Sequence, residues 1–139
     1  MKVLITGSNG QLGKALAKNK PEGVEVLSFD KKRFDLKYTE NIHQLILENT
    51  PDWIINCAAY TNVDKAEKEK ELALKINGEA PKEIAKAIKL IGGKLLHIST
   101  DFVFNGKTSV PYKPKSPKNP INAYGYSKSI GEDNVLNIL

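Results

Sequence analysis

The chain has 139 residues, a net charge of +5 and a hydrophobic fraction of 40%, a profile that suits one globular domain able to bury about two-thirds of its unfolded surface. No apolar run approaches the ~20 residues of a membrane span, the N-terminal apolar run is too short for a secretory leader, and a lone Cys57 excludes an intrachain disulfide. A cytoplasmic protein without a membrane partner is therefore expected. The positive charge is almost all lysine, Arg33 being the lone arginine. With no stripe of Arg and aromatics, a solvated surface is expected and a nucleic-acid partner is not.

Lys2–Thr6 reads as a buried strand that runs into Gly7, Gly10 and Gly13. A helix then runs from Gln11 to Asn19, with Leu12, Ala15 and Leu16 expected on its inner face. Val24–Phe29 is the second strand, ending in Asp30, and Arg33–Leu36 reads as a short extended third. Thr39 caps a helix through Glu48, with Ile42, Leu45 and Ile46 inward. Trp53–Cys57 is the fourth strand, and a helical stretch of about 64–90 is expected to bend near Gly78 and Pro81. Gly92-Gly93 ends it, Lys94–Ile98 is the fifth strand, and a final helix starts at Ala123. Between these last two, Pro111, Pro114, Pro117 and Pro120 recur at the polyproline II period, which predicts a stiff, lysine-rich excursion. Strands alternating with helices imply an α/β fold, a Rossmann-like doubly wound parallel sheet of order 3-2-1-4-5.

The chemistry collects at the carboxyl ends of these strands. A strand, a glycine turn and a helix start suit a dinucleotide pyrophosphate, because free helix N–H groups face the anion where no Cβ intrudes. Gly7, Asn9, Gly10, Gln11, Leu12 and Gly13 are the candidates. The spacing is Gly-x2-Gly-x2-Gly rather than Gly-x-Gly-x2-Gly. Asp30 stands where an acid takes ribose hydroxyls and favours NAD, whereas Lys31, Lys32 and Arg33 suit a 2′-phosphate and favour NADP. Both cofactors stay open. Small residues Ala58 and Ala59, then Tyr60 and Thr61, let a flat ligand lie on the backbone. Cys57 and His97 are expected in the core and His43 on the surface, and no Cys/His cluster has metal-ligand spacing. Ser99-Thr100-Asp101 ends the fifth strand, and Tyr124 and Lys128 share one face of the last helix. An ammonium beside a tyrosine favours phenolate, so the pair suits proton transfer to a carbonyl oxygen that Thr100 can also bond.

These pieces in this order resemble the extended short-chain dehydrogenase/reductases, and within them the dTDP-4-dehydrorhamnose reductase family. The segments that carry it are GSNGQLG at 7–13, PDWIINCAAYTNVDKAE at 51–67, LLHISTDFVFNG at 95–106 and NAYGYSK before Gly131-Glu132. The resemblance implies NAD(P)H-dependent reduction of the 4-keto group of a dTDP-deoxysugar. It implies Tyr124 as catalytic acid with Lys128 as its partner, also on the nicotinamide ribose, and Thr100 and Asp101 completing the site. It further puts Asp35 and Leu36 near the adenine, 58–61 near the ribose–nicotinamide half, and Asn77 in a structural and proton-relay role. The family is about twice this long, so a C-terminal substrate domain is expected to be absent from 1–139. The loop also lacks the family's acids after Pro111-Tyr112. A homo-oligomer is expected, from an exposed edge strand and apolar residues on the last helix. Two other readings share the pattern: a non-catalytic NAD(P)-binding module like the methionine adenosyltransferase regulatory subunit, and a nucleotide-sugar epimerase or dehydratase.

Overall fold

The computed structural model describes residues 1–139. In chain order they form β1 (Lys2–Thr6), α1 (Gln11–Lys18), β2 (Glu25–Phe29), α2 (Ile42–Asn49), β3 (Trp53–Asn56), α3 (Val63–Ala66), α4 (Lys70–Leu74), α5 (Ala80–Leu90), β4 (Lys94–His97) and α6 (Ala123–Ile138). A π-helical turn, Lys75–Glu79, joins α4 to α5, and single 3-10 turns cover Thr39–Asn41 and Asp101–Val103. The sheet is parallel, with order β2-β1-β3-β4. No helix is long and apolar enough to cross a membrane.

The expected third strand is absent, so the order 3-2-1-4-5 contracts to four strands. The cause is local. Asp30 closes a turn on itself, its Oδ1 accepting from the Lys32 and Arg33 amides at 3.0 and 3.1 Å and its carbonyl from the Phe34 amide at 2.9 Å. This turn sends Phe34 and Leu36 down into the core instead of along an edge.

Strand register assigns the faces. Leu27, Leu4, Ile54 and Leu95 lie in one row across the sheet, and side chains in a row share a face. That face holds the core, where Ile42 and Ile46 of α2 and Ile84 and Ile88 of α5 meet Leu4, Phe29 and Ile54. The adjacent row, Ser28–Ile5–Ile55–Leu96, points the other way. Right-handed crossovers put α1 on this second face, where it lies over β1 and β2 alone. Ile5 is sealed, Ile55 is half-buried and Leu96 is 48% exposed.

The helix α1 turns differently from the sequence expectation. Leu12 and Ala15 are exposed, and Leu16 and Ala17 are half-buried. Gly13 is the buried residue; a Cβ there would sit 2.5 Å from the Gly7 carbonyl oxygen. Close approach at Gly13 fixes the helix roll and swings Leu12 out. The other helices follow their apolar periods, with Leu45 half-buried beside Ile42 and Ile46. His43 is not free on the surface: it bonds Glu83 at 2.9 Å, tying α2 to α5.

Candidate functional site

The end of β1 is shaped by backbone rather than by side chains. Gly7 has φ +63°, the left-handed region, and its missing Cβ leaves room for the Ala58 amide. Gly10 is the N-cap of α1 and offers no capping side chain, so the first α1 amides face outward unpaired. A cleft of about 760 Å³ opens there, lined by Gly7, Asn9, Gly10, Gln11, Asp35, Leu36 and the 57–61 segment, with Lys65 at its rim. The turn thus joins residues 50 positions apart at the carboxyl edge between β1 and β3, where the strand order reverses and such folds bind ligands.

Within the predicted set, Gly13 lies beneath the turn and Leu12 faces out, so neither lines this cleft. Asp30 lines the adjoining hollow with Asn9 and 31–35. Its carboxylate is already engaged, by the turn amides and by the Asn9 side chain at 3.0 Å. Leu36 serves both cleft and core. Cys57, expected as a sealed core residue, is half-buried and lines the cleft, with burial raising its thiol pKa. Tyr60 donates to Glu69 at 2.6 Å, and that bond pushes the phenol up to about 12.

Asn77 sits at the centre of the π turn, 1% exposed. Its Oδ1 accepts from the Tyr60 amide at 2.8 Å, and its Nδ2 donates to the Tyr60 carbonyl and to Ser127 Oγ, each at 3.0 Å. One side chain therefore clamps the 58–61 segment to α6. Asn122 caps α6 by accepting from the Gly125 amide at 2.7 Å, which sets Tyr124 in the first turn. Tyr124 packs edge-on against Phe102, with centroids 5.6 Å apart. Thr100 caps the 3-10 turn through the Phe102 amide at 3.2 Å and bonds Asp101 at 3.3 Å. Thr100, Asp101, Tyr124 and Lys128 thus gather where β4 ends against α6, apart from the glycine cleft.

Lys128 is 2% exposed. Its Nζ donates to the Ile98 carbonyl at 2.5 Å and lies 3.5 Å from His97 Nε2. Burial drives it down to about 8, with Glu132 pulling the other way. His97, expected as a core histidine, is half-buried at the sheet edge; burial, then the Lys128 charge, lowers it to about 3. Glu132 accepts from Ser99 and pairs with Lys118 at 3.3 Å, and Lys118 also meets Asp133 at 2.5 Å. This strap pins the proline loop to α6, and Tyr112 stacks on Phe104 at 4.1 Å within the loop itself. Asn56, Ser127 and Glu132 are site neighbours to which the sequence reading gave no role of their own, although each stands in or beside a segment that carries the family resemblance.

A family model described as the RmlD substrate binding domain matches residues 1–139. The chain belongs to this family. Similar curated proteins include the dTDP-4-dehydrorhamnose reductase of Burkholderia thailandensis, 42% identical over 95% of this chain and 44% of its own length. A crystal structure of a dTDP-4-dehydrorhamnose reductase from Clostridium acetobutylicum superposes with TM-score 0.96 at 41% identity, covering 99% of this chain and 50% of that one. The Bacillus anthracis dTDP-4-dehydrorhamnose reductase, solved in complex with NADP, superposes with TM-score 0.94 at 45% identity, covering 99% and 49%. The chain spans about half the length of the relatives it matches.

Proposed function

We propose that residues 1–139 are the NAD(P)H-binding domain of a reductase of the 4-keto group of a dTDP-deoxysugar, converting dTDP-4-dehydrorhamnose to dTDP-rhamnose. The observation that carries this reading is the pairing of a glycine-floored cleft with a buried Lys128 one turn from Tyr124, in a chain of this family.

The residues suit the cofactor. Gly7, Gly10 and the free amides of α1, with Asn9 and Gln11 on the same turn, take the pyrophosphate; Leu12 contributes its backbone amide only, and Gly13 lets α1 lie close. Asp35 and Leu36 flank the adenine. Asp30, held by turn amides, keeps a carboxylate near the ribose, and exposed Lys31 and Lys32 offer charge to a 2′-phosphate, so both NADP and NAD are accepted. Ala58, Ala59, Tyr60 and Thr61 border the nicotinamide half. The bound cofactor supplies hydride. Tyr124 supplies the proton to the keto oxygen, Thr100 bonds that oxygen, and Asp101 lies beside them. The Lys128 charge favours the phenolate left on Tyr124 and holds the ribose. Asn77 holds the 58–61 wall against α6 and stands at the start of a proton path.

The reaction is set in the cytoplasm, in keeping with a single free cysteine. The copies pair through the uncovered β4 side of the sheet and α6, where Leu96, Leu136 and Leu139 are exposed. A non-catalytic module is disfavoured because Thr100, Tyr124 and Lys128 are all retained. Calorimetry with NADPH and NADH tests binding. Micromolar-to-millimolar affinity is expected for the chain and none for Gly10→Val; equal heats for both would overturn the reading. In a protein that also carries the remaining half, Tyr124→Phe abolishes dTDP-4-keto-sugar reduction. The 139-residue chain alone turns over little, because orientation of the sugar supplies several kcal/mol of a typical barrier lowering.

A further inference from the structure

Thr6, Asn56 and His97 stand in one register row across β1, β3 and β4, so their side chains share a face. Thr6 is fully buried and Asn56 is 1% exposed. The row is a hydrogen-bonded chain with a fixed sense. The Ala58 amide donates to Thr6 Oγ1 at 3.3 Å, and Thr6 Oγ1 donates to Asn56 Oδ1 at 2.6 Å. Turning the amide over would set its NH2 against that hydroxyl and leave the Thr6 proton without an acceptor in a sealed site, which is costly. Asn56 therefore points Nδ2 at His97 Nδ1, 3.0 Å away. A ring nitrogen that accepts carries no proton, so the neutral imidazole holds its proton on Nε2. That nitrogen is the one facing Lys128 Nζ at 3.5 Å.

We propose that His97 is a positioning residue for Lys128: locked as the Nε2–H tautomer by Thr6 and Asn56, it denies the ammonium a second acceptor on the sheet side, beyond the Ile98 carbonyl. One Lys128 proton goes to the Ile98 carbonyl, and the others turn outward along the Tyr124 face of α6. That these outward donors serve a reduction rests on the function proposed above; the tautomer and the direction of the ammonium do not. The charge environment agrees. Glu132 from α6 and His97 from β4 are the titrating neighbours of Lys128, the π turn presents the uncharged Asn77 beside Ser127, and Lys118 from the loop is neutralised by Glu132 and Asp133.

The test is nitrogen NMR of the uniformly 15N-labelled chain. It has two histidines, so His97→Gln assigns the ring signals. The expected spectrum shows His97 with Nε2 protonated, Nδ1 bare, and no titration between pH 8 and 5. A ring protonated on Nδ1 overturns the proposal without any variant. Asn56→Asp puts an acceptor against Nδ1, so the His97 proton moves to Nδ1 and Nε2 becomes an acceptor for Lys128. Lysine 13Cε signals, assigned with Lys128→Arg, then show the Lys128 titration moving up by at least one pH unit; an unmoved Lys128 overturns the proposal. If Asn56→Asp does not fold, Thr6→Val serves: the amide is freed to turn, and Nδ1–H His97 is expected to appear, an unchanged ring spectrum being the overturning result. NADPH titration of the same sample is separate. Failure to bind would sink the cofactor reading while leaving the His97 spectrum as it stands.

Discussion

The two faces of the sheet are built to different standards. On the face of Leu4 and Ile54, α2 and α5 close over the strands and both of these central residues are sealed, with Leu27 and Leu95 half-buried on the edge strands. On the face of Ile5, Ile55 and Leu96, α1 covers only β1 and β2, and burial falls away strand by strand toward β4. The same strands supply both rows, so the difference lies in what packs on them. Stability is concentrated on one face; the other leaves apolar surface such as Leu96 uncovered.

The largest expected effect separates the faces directly. Ile54→Ala removes a fully buried side chain and is expected to cost about 2–5 kcal/mol in urea unfolding. Ile55→Ala, one residue along and half-buried, is expected to cost well under half of that. Equal losses would break the comparison. Next in size is Asn77→Leu, which removes the clamp on the covered side. It leaves the Tyr60 amide and carbonyl without partners and is expected to lower stability by about 2–3 kcal/mol, read by thermal unfolding.

Acid should act through the covered face as well. His97 titrates at about 3 in the fold against 6.5 for the free side chain, so the unfolded chain binds the extra proton between these values. Stability from this group is present above pH 6.5 and is lost as pH falls toward 3, at up to about 1.4 kcal/mol per unit. His97→Gln should flatten that limb. Lys128, at about 8 against 10.5, adds stability in the same direction as pH rises from 8 to 10.5. The smallest effect sharpens the contrast. Leu96→Ser on the open face is expected to shift stability by only about ±0.5 kcal/mol, while light scattering at ~100 μM shows less self-association than wild type. A stable wild-type monomer at that concentration would count against pairing through this face.

Legibility in the sequence follows from how local each cause is. The glycine turn, β1 and the Tyr124–Lys128 spacing are local patterns, and the family-bearing segments lie where the strands end. Arg33–Leu36 misled because an apolar alternation looks like a strand until Asp30 claims its amides. The roll of α1 was hidden because Gly13, not a large apolar residue, makes the close contact. The Thr6–Asn56–His97 row needs strand register, which joins residues 50 and 41 positions apart. No period in the chain contains that information, so His97 read as filler and Asn56 figured only as part of the segment that leads to Thr61.

The π turn at Lys75–Glu79 has a consequence for the chain's tolerance of length changes. A π turn holds one residue more than an α turn would, so α4 and α5 are out of phase by about one residue, roughly 100° of helix rotation. The offset lets α4 address α6 while α5 turns Ile84 and Ile88 to the sheet. Deleting any one residue of 75–79 would restore a continuous α-helix at no cost in backbone hydrogen bonds. It would also rotate Asn77 away from Tyr60 or Ile84 away from the core. This short segment therefore acts as a phase adapter: its residue count is held by the geometry on both sides, in addition to the demands that buried Asn77 and Gly78 make on their own positions.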